Sequence, residues 1–418
     1  MSTTDDDVLI LGAGAIGIAC AYALQRAGRS VRVLDRGAVG GATSHGNCGT
    51  LTPSHAPPLQ APGMVTQGLR WMLRPDAPLH VAPGFEWRRW RWLSRAALNC
   101  RSAIHQGNTP IRAQLLLRSR ALIQEWIEGE RIDCDFAATG TLYVFRDEAE
   151  LARAAAKQIA ALAPLGISTE IWDADRTHAE EPCLLPGMAG ALFNPQDAHL
   201  RPDRFVEGLA EVVRRDGGMI ETGVEIEALE LRDGRVECVR TSHGIRRARD
   251  IVVALGPWQA GFVRSLGIDL PIEPGKGYSI TYAEPPGQVP TRPLVLKDAS
   301  VCVTTWPHGF RLGSTMEFAG FDTRLNQRRL DALISASRHY LREPEGGGAR
   351  TDWYGWRPMT PDDLPIIDNA PGVANVVLAG GHGMLGMSLC AVTGELVAAL
   401  LGRVEPALDL TPFAATRF

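Results

Sequence analysis

Arg357 lies within "GWRPMTPDDLPIID" (355–368), and its neighbours restrict the chemistry open to it. Pro358 disfavours helical geometry for the preceding residue, so Arg357 is expected in extended chain and not on a helix with a carboxylate one turn away. Trp353, Tyr354 and Trp356 crowd the same positions and predict apolar surroundings. A guanidinium placed there needs an anion, because an unpaired buried charge is too costly to keep. Two sources are open: Asp362 or Asp363 from the chain itself, or a carboxylate brought in by a ligand.

A second constellation stands at the start of the chain. "DDVLILGAGAIG" (6–17) reads as a buried strand followed by Gly12, Gly14 and Gly17 in G-x-G-x-x-G spacing, with Ala15 and Ile16 between the last two. A helix is predicted to run to Gly28, and "SVRVLDR" is a second strand ending on Asp35 and Arg36. Gly12 permits a tight turn, Gly14 lets the backbone approach a pyrophosphate, and Gly17 allows close helix–strand packing. The helix N-terminus then offers oriented N–H groups to the anion. Asp35 lies where an acid can accept hydrogen bonds from ribose hydroxyls, which completes a dinucleotide site.

The following stretch selects the dinucleotide. "RGAVGGATSHGNCGTLTPSH" (36–55) is rich in glycine and hydroxyls, suited to wrapping a pyrophosphate, ribityl chain and flavin ring, whereas a nicotinamide enzyme is expected to enter a third strand. Thr43, Ser44, His45, Gly46, Asn47, Cys48, Gly49, Thr50 and Leu51 are the candidate contacts. Three later segments fit a flavin protein: a strand ending near Val224 on the adenine side, a strand leading to Gly256 and Trp258, and "NVVLAGGHGMLGMSLCAVTGELVAALLG" (375–402). In the last, Gly381, His382, Gly383, Met384, Leu385, Gly386 and Met387 precede a long apolar helix. Its positive N-terminal end suits the negative charge that reduced flavin carries. Read alone, His382 is an ordinary structural histidine.

Bulk properties bound the rest. The 418 residues suffice for two or three domains. Lys and Arg (43) nearly balance Asp and Glu (47), which argues against a nucleic-acid partner. The eight cysteines contain no CxxC, as in reduced cytosolic proteins, and no histidine spacing supports a metal. The acidic "MSTTDDD" start does not precede the apolar run 8–24 as a signal peptide would, and no other stretch is expected to cross a bilayer. "FEWRRWRWLSRAAL" (85–98) is expected to be an amphipathic helix with its tryptophans on the core and its arginines solvated; a membrane-surface patch is the other reading.

Around these motifs the chain divides into interleaved parts. Segments 1–85, 199–268 and 350–418 form a Rossmann-type dinucleotide domain. Segments 86–198 and 269–349 form an α+β substrate domain on a largely antiparallel sheet, with helices at 147–163 and 325–341.

"LGAGAIG", "ATSHGNCGTLTP", "KGYSIT", "GWRPMTPDDLPII" and "GHGMLGMSLC" occur in order over nearly the whole chain. Together they resemble the D-amino-acid dehydrogenases of the small-subunit type, within the D-amino-acid-oxidase-like flavoproteins. The resemblance implies non-covalent FAD, an interleaved substrate domain and oxidation of an amine beside a carboxylate. It further implies hydride transfer from Cα to flavin N5 and electrons passed to a quinone or other carrier. A cytoplasmic protein with peripheral membrane contact is implied too, and a homo-oligomer is left open. On this resemblance Arg357 grips the substrate carboxylate, and Tyr278, Tyr354 and His308 are candidate pocket walls or hydrogen-bond donors. His45, Cys48 and the missing Trp-Thr pair after the glycine loop depart from the commoner pattern, and admit a cyclic imino acid such as D-proline or D-hydroxyproline as substrate. Rival readings are an oxygen-using amine oxidase of the sarcosine/glycine-oxidase type, a non-catalytic protein for flavin binding or electron transfer, and a nicotinamide-dependent dehydrogenase.

Overall fold

The computed structural model describes residues 6–72, 79–82, 84 and 86–418. The first five residues, on which the signal-peptide argument drew, and Phe85 lie outside the described residues. Val8 to Leu11 are completely buried, the pattern of a strand covered on both faces. That strand, Asp6–Leu11, is flanked in a six-stranded sheet by Ala248–Val253 and Val31–Asp35. Val376–Gly380 and Met219–Thr222 extend the sheet in parallel, and Ile366–Asn369 closes one edge antiparallel. One face packs on the helices Ala15–Arg26 and Gly386–Gly402. The other is covered by an antiparallel meander of Ile226–Arg232, Arg235–Thr241 and Gly244–Arg246.

The second layer is a nine-stranded sheet. Its order runs Gly347–Met359, Glu273–Glu284, Gly309–Phe318, Val301–Trp306, Leu294–Leu296, Thr141–Phe145, Gly190–Asn194 and Glu170–Asp173, with Leu79–Val81 alongside Gly309–Phe318. It is antiparallel except where Leu294–Leu296 meets Thr141–Phe145 and where Leu79–Val81 joins. Helix Gln327–Ser337 packs Leu330, Leu333 and Ile334 on one face against Ile280 and Leu312. The expected helix at 147–163 is Glu148–Leu162, capped by Asp147 accepting from the Glu150 N–H.

Three boundaries differ from the sequence reading. Residues 350–359 belong to the edge strand of the nine-stranded sheet, so a division at 350 falls inside a strand. Leu79–Val81 joins the same sheet. Helix Ser102–Glu130 instead buries Leu115, Leu116 and Ile123 with Leu389, Val392 and Leu396 of the dinucleotide layer. An apolar periodicity shows that a face is buried and leaves its partner open.

The tryptophan–arginine segment forms helix Trp87–Asn99, but its expected faces are mixed. Trp92 is buried, donates Nε1–H to the Met359 carbonyl at 2.9 Å and packs on Phe318. Trp87 and Trp90 are exposed, while Arg89 is buried between Glu86 and Glu273. Gly383–Gly402 is long and apolar enough by composition to cross a membrane, against the expectation from sequence. It is here a core helix, with Leu389, Val392, Leu396 and Val397 completely or nearly completely buried.

A buried node ties helix Ser102–Glu130 to the loops at 55–59 and 363. Arg112 pairs with Asp363 at 2.9 Å and also donates to the carbonyls of His55, Ala56 and Asp363. Asp363 accepts from the Leu59 N–H in turn. Removing the guanidinium orphans a carboxylate and three carbonyls, so Arg112→Ala is expected to cost about 3–5 kcal/mol. A large fall in the thermal unfolding midpoint relative to wild type checks this.

Candidate active site

Between the two layers lies a cavity of about 1610 Å³, larger than the roughly 300–1,000 Å³ of ordinary ligand pockets. One wall is the dinucleotide turn. Gly17 closes on Gly12, where an added Cβ would stand 1.8 Å from the Gly12 carbonyl oxygen, so helix and strand meet only because the side chain is missing. Helix Ala15–Arg26 is entered through Gly14 with no side-chain cap and no acid in its first turn, which leaves its positive end for an anion. Ser44 Oγ accepts from the Ala15 N–H at 3.1 Å and ties the flavin-side loop to this turn. Asp35 accepts from the Ala13 and Gly37 N–H groups, each at 2.7 Å, which fixes its carboxylate on the cavity edge. Arg36 stacks over Trp258 with 4.6 Å to the ring centre.

The loop after Asp35 is clamped from the opposite sheet. Arg311 donates to the carbonyls of His45 and Asn47 and to Thr281 Oγ1. Thr304 donates to the Cys48 carbonyl at 2.9 Å, and Thr43 to that of Trp356 at 2.8 Å. Of the candidate contacts, Gly12, Gly14, Ala15, Ile16, Asp35, Arg36, Thr43, Ser44, Gly46, Asn47, Cys48, Thr50, Gly256, Trp258 and the run 382–387 line the cavity. Gly17, His45, Gly49, Leu51, Val224 and Gly381 stand behind that lining. Leu51 and Val224 are core residues, and Val224 donates its N–H to the Asp35 carbonyl. His382 is buried against Thr393 Oγ1 at 2.9 Å, and burial pulls its pKa down to about 3.

Arg357 answers to the alternation of its strand. Trp353, Gly355 and Arg357 border the cavity, whereas Tyr354 and Trp356 turn to the other face. The guanidinium lies over Gly277, where a Cβ would come within 2.3 Å of Nη1. Nη1 donates to the Thr315 carbonyl at 2.7 Å. Thr315 itself takes a left-handed backbone (φ 64), next to a register shift in the strand pairing, and its buried hydroxyl has no partner among the described residues. Asp362 is paired with Arg417 at 2.8 Å and Asp363 with Arg112. Among the described residues no carboxylate is within ion-pair distance of Arg357, and burial lowers its pKa.

Of the other three candidates for pocket wall or hydrogen-bond donor, Tyr278 lines the cavity while Tyr354 and His308 do not. Tyr354 is register-paired with Tyr278 on the face away from Arg357, and the buried Lys276 ammonium sits over both rings at 4.7 and 5.2 Å. Tyr278 touches the cavity edge, but its hydroxyl is held by Glu317 at 2.9 Å and its ring packs in the sheet core. His308 is exposed in the hairpin between Val301–Trp306 and Gly309–Phe318, outside the cavity lining. Spacing alone does not reveal a strand's face until its partner is known.

The cavity wall also carries residues that the sequence reading passed over. His55, Tyr143, Lys297 and Cys302 line the cavity. Tyr143 Oη and Thr52 Oγ1 hold the two His55 ring nitrogens. The alternation of "GTLYVF" and "VCVTTW" was the available signal, since Thr141 with Tyr143 and Cys302 with Thr304 share the inner face.

Residues 7–400 match the family model described as FAD dependent oxidoreductase. The chain belongs to that family. Two relatives, both D-amino acid dehydrogenases, are similar over 98% of this chain: one from Granulibacter bethesdensis is 32% identical over 99% of its length, and one from Rhizorhabdus wittichii is 34% identical over all of its length. The fold is similar to that of glycine oxidase from Geobacillus kaustophilus, with a TM-score of 0.81 and 23% identity over the whole of both chains. The helix start with no acid in its first turn, Asp35 and the glycine- and hydroxyl-rich loop after it fit the FAD that this family uses.

This geometry makes two outcomes measurable. Asp35→Ala removes charged hydrogen bonds worth about 1.5–3 kcal/mol, so FAD affinity should fall roughly ten- to a hundredfold, read from flavin retained after dialysis. Burial first, then the charges of Arg112 and Lys297, depress the His55 pKa to about 4. The unfolded chain therefore binds the extra proton first, and the neutral imidazole's contribution is intact above roughly pH 6.5. As pH falls towards 4, wild type should lose its stability advantage over His55→Gln, measured by denaturation at each pH.

Proposed function

We propose that this FAD-dependent oxidoreductase dehydrogenates a D-amino acid, holding the substrate carboxylate on Arg357. The observation that carries the reading is the guanidinium on the cavity wall whose two candidate carboxylates, Asp362 and Asp363, are taken by Arg417 and Arg112. A paired arginine–carboxylate fork is directional, so it fixes Cα as well as binding the acid. Thr315 supports it: its carbonyl steadies Nη1. When bound, FAD supplies the acceptor for the Cα hydride at N5. The substrate amine enters neutral, and its nitrogen lone pair drives hydride loss, so no side chain is needed as a strong base. Residues of the loop 43–50 and the run 382–387 line the same cavity as Arg357. The electrons leave to a quinone or other carrier. A cyclic imino acid such as D-proline or D-hydroxyproline is the favoured substrate, and its product remains a ring imine.

Anaerobic mixing with D- and L-alanine, proline and hydroxyproline tests this through bleaching of the flavin band. Bleaching by D-forms alone is expected, and bleaching by L-forms alone would overturn the handedness. Arg357→Ala should retain FAD while losing about 2–5 kcal/mol of carboxylate binding, a fall in kcat/KM of roughly thirty- to several-thousandfold. Arg357→Lys should recover part of it. Normal turnover by the alanine variant would place the carboxylate elsewhere.

A further inference from the structure

We propose that Cys48 and Cys302 form a redox pair on the cavity wall, joined into a reversible disulfide by hydrogen peroxide. The placement follows from register. Cys302 is paired across the sheet with Gly313, and a Cβ on Gly313 would stand 2.4 Å from Cys48 Sγ. Directly paired Cβ atoms are about 4.5–5.5 Å apart, so the Cys48 sulfur lies on the same face of the sheet as the Cys302 side chain and beside it. Thr304 marks the same spot: its Oγ1 lies 2.9 Å from the Cys48 carbonyl oxygen and 3.8 Å from Cys302 Sγ. Both cysteines line the cavity and are partly exposed, whereas Cys20, Cys134, Cys183, Cys238 and Cys390 are buried.

The pair is also asymmetric. The neighbouring Cys302 side chain, then the positive charges of Arg311 and Arg357, hold Cys48 below its ordinary pKa against the effect of burial. The same contact and burial push Cys302 up. Such an arrangement places a nucleophilic thiolate beside a resolving thiol.

In the first step the Cys48 thiolate attacks one peroxide oxygen. An S–O bond forms, the O–O bond breaks, and the departing hydroxide takes up a proton to leave as water. Cys302 then attacks the sulfenic sulfur; the S–S bond forms, the S–O bond breaks, and a second water leaves with the Cys302 proton. Peroxide gains the electron pair that the two thiols lose. The link pins the flavin-side loop to the sheet and removes the thiol that faces Arg357.

The test uses the FAD-loaded protein treated with hydrogen peroxide, then digested without reductant and analysed by mass spectrometry. A peptide pair joined through Cys48 and Cys302, released by dithiothreitol and missing from Cys302→Ser, is the expected result. Dibromobimane on untreated wild type supplies a second reading that needs no variant, and should bridge the same two residues. Peroxide that leaves both thiols free, that drives Cys48 to sulfinic acid without a link, or that joins either one to Cys100 instead would overturn the proposal. These readouts do not depend on substrate turnover, so failure of the dehydrogenase reading would leave them unaffected.

Discussion

A guanidinium embedded in an apolar wall must be neutralised, and that requirement organises much of the space between the two sheets. Three arginines approach the segment 355–368, and the chain supplies carboxylates for two of them. Arg417 takes Asp362 and Arg112 takes Asp363, which leaves Arg357 with a carbonyl and the cavity. Coulomb attraction in a poorly hydrated site is strong and unforgiving of mismatches. Structural pairing thus accounts for Arg112 and Arg417, while among the described residues Arg357 has no carboxylate within ion-pair distance.

The same economy of contacts fixes the cofactor side. Arg311 and Thr304 hold the flavin-side loop through its carbonyls, not its side chains. The loop's course therefore depends on the opposite sheet as much as on its own glycines. Arg112 does the equivalent for the segment carrying His55 and Ala56. Backbone carbonyls in a buried loop need donors, and long side chains from the neighbouring layer provide them. Loop 43–50, the cavity wall and the packing of the layers are consequently coupled through these bonds.

Buried titratable groups cluster where the layers meet. His55, His199 and His382 are all driven towards neutrality by burial, while burial pushes Asp197 up to about 7 despite its bonds from Ser54. These groups make the interior sparing with charge, so the arginines stand out as its electrostatic landmarks. Lys297 and Tyr143 add polarity at this part of the wall.

The strand–turn–helix at Gly12 to Gly17, the glycine run before the last helix and the extended chain at Arg357 were legible in the linear sequence. They depend on short-range rules: a glycine spacing, a strand-to-helix transition, a proline that forbids helix. The two-layer fold class followed from the same local patterns. What tertiary structure alone decided was partnership and facing. Tyr354 and Arg357 are three positions apart, yet strand alternation and pairing with Tyr278 put them on opposite faces. His308 fell on an exposed hairpin, Trp92 but not Trp87 entered the core, and residues 350–359 joined the other sheet. Cys48 and Cys302 are far apart in the chain and meet because Val301–Trp306 pairs with Gly309–Phe318 beneath the loop. Local sequence encodes which groups need a partner; only packing of distant segments determines which partner each one meets.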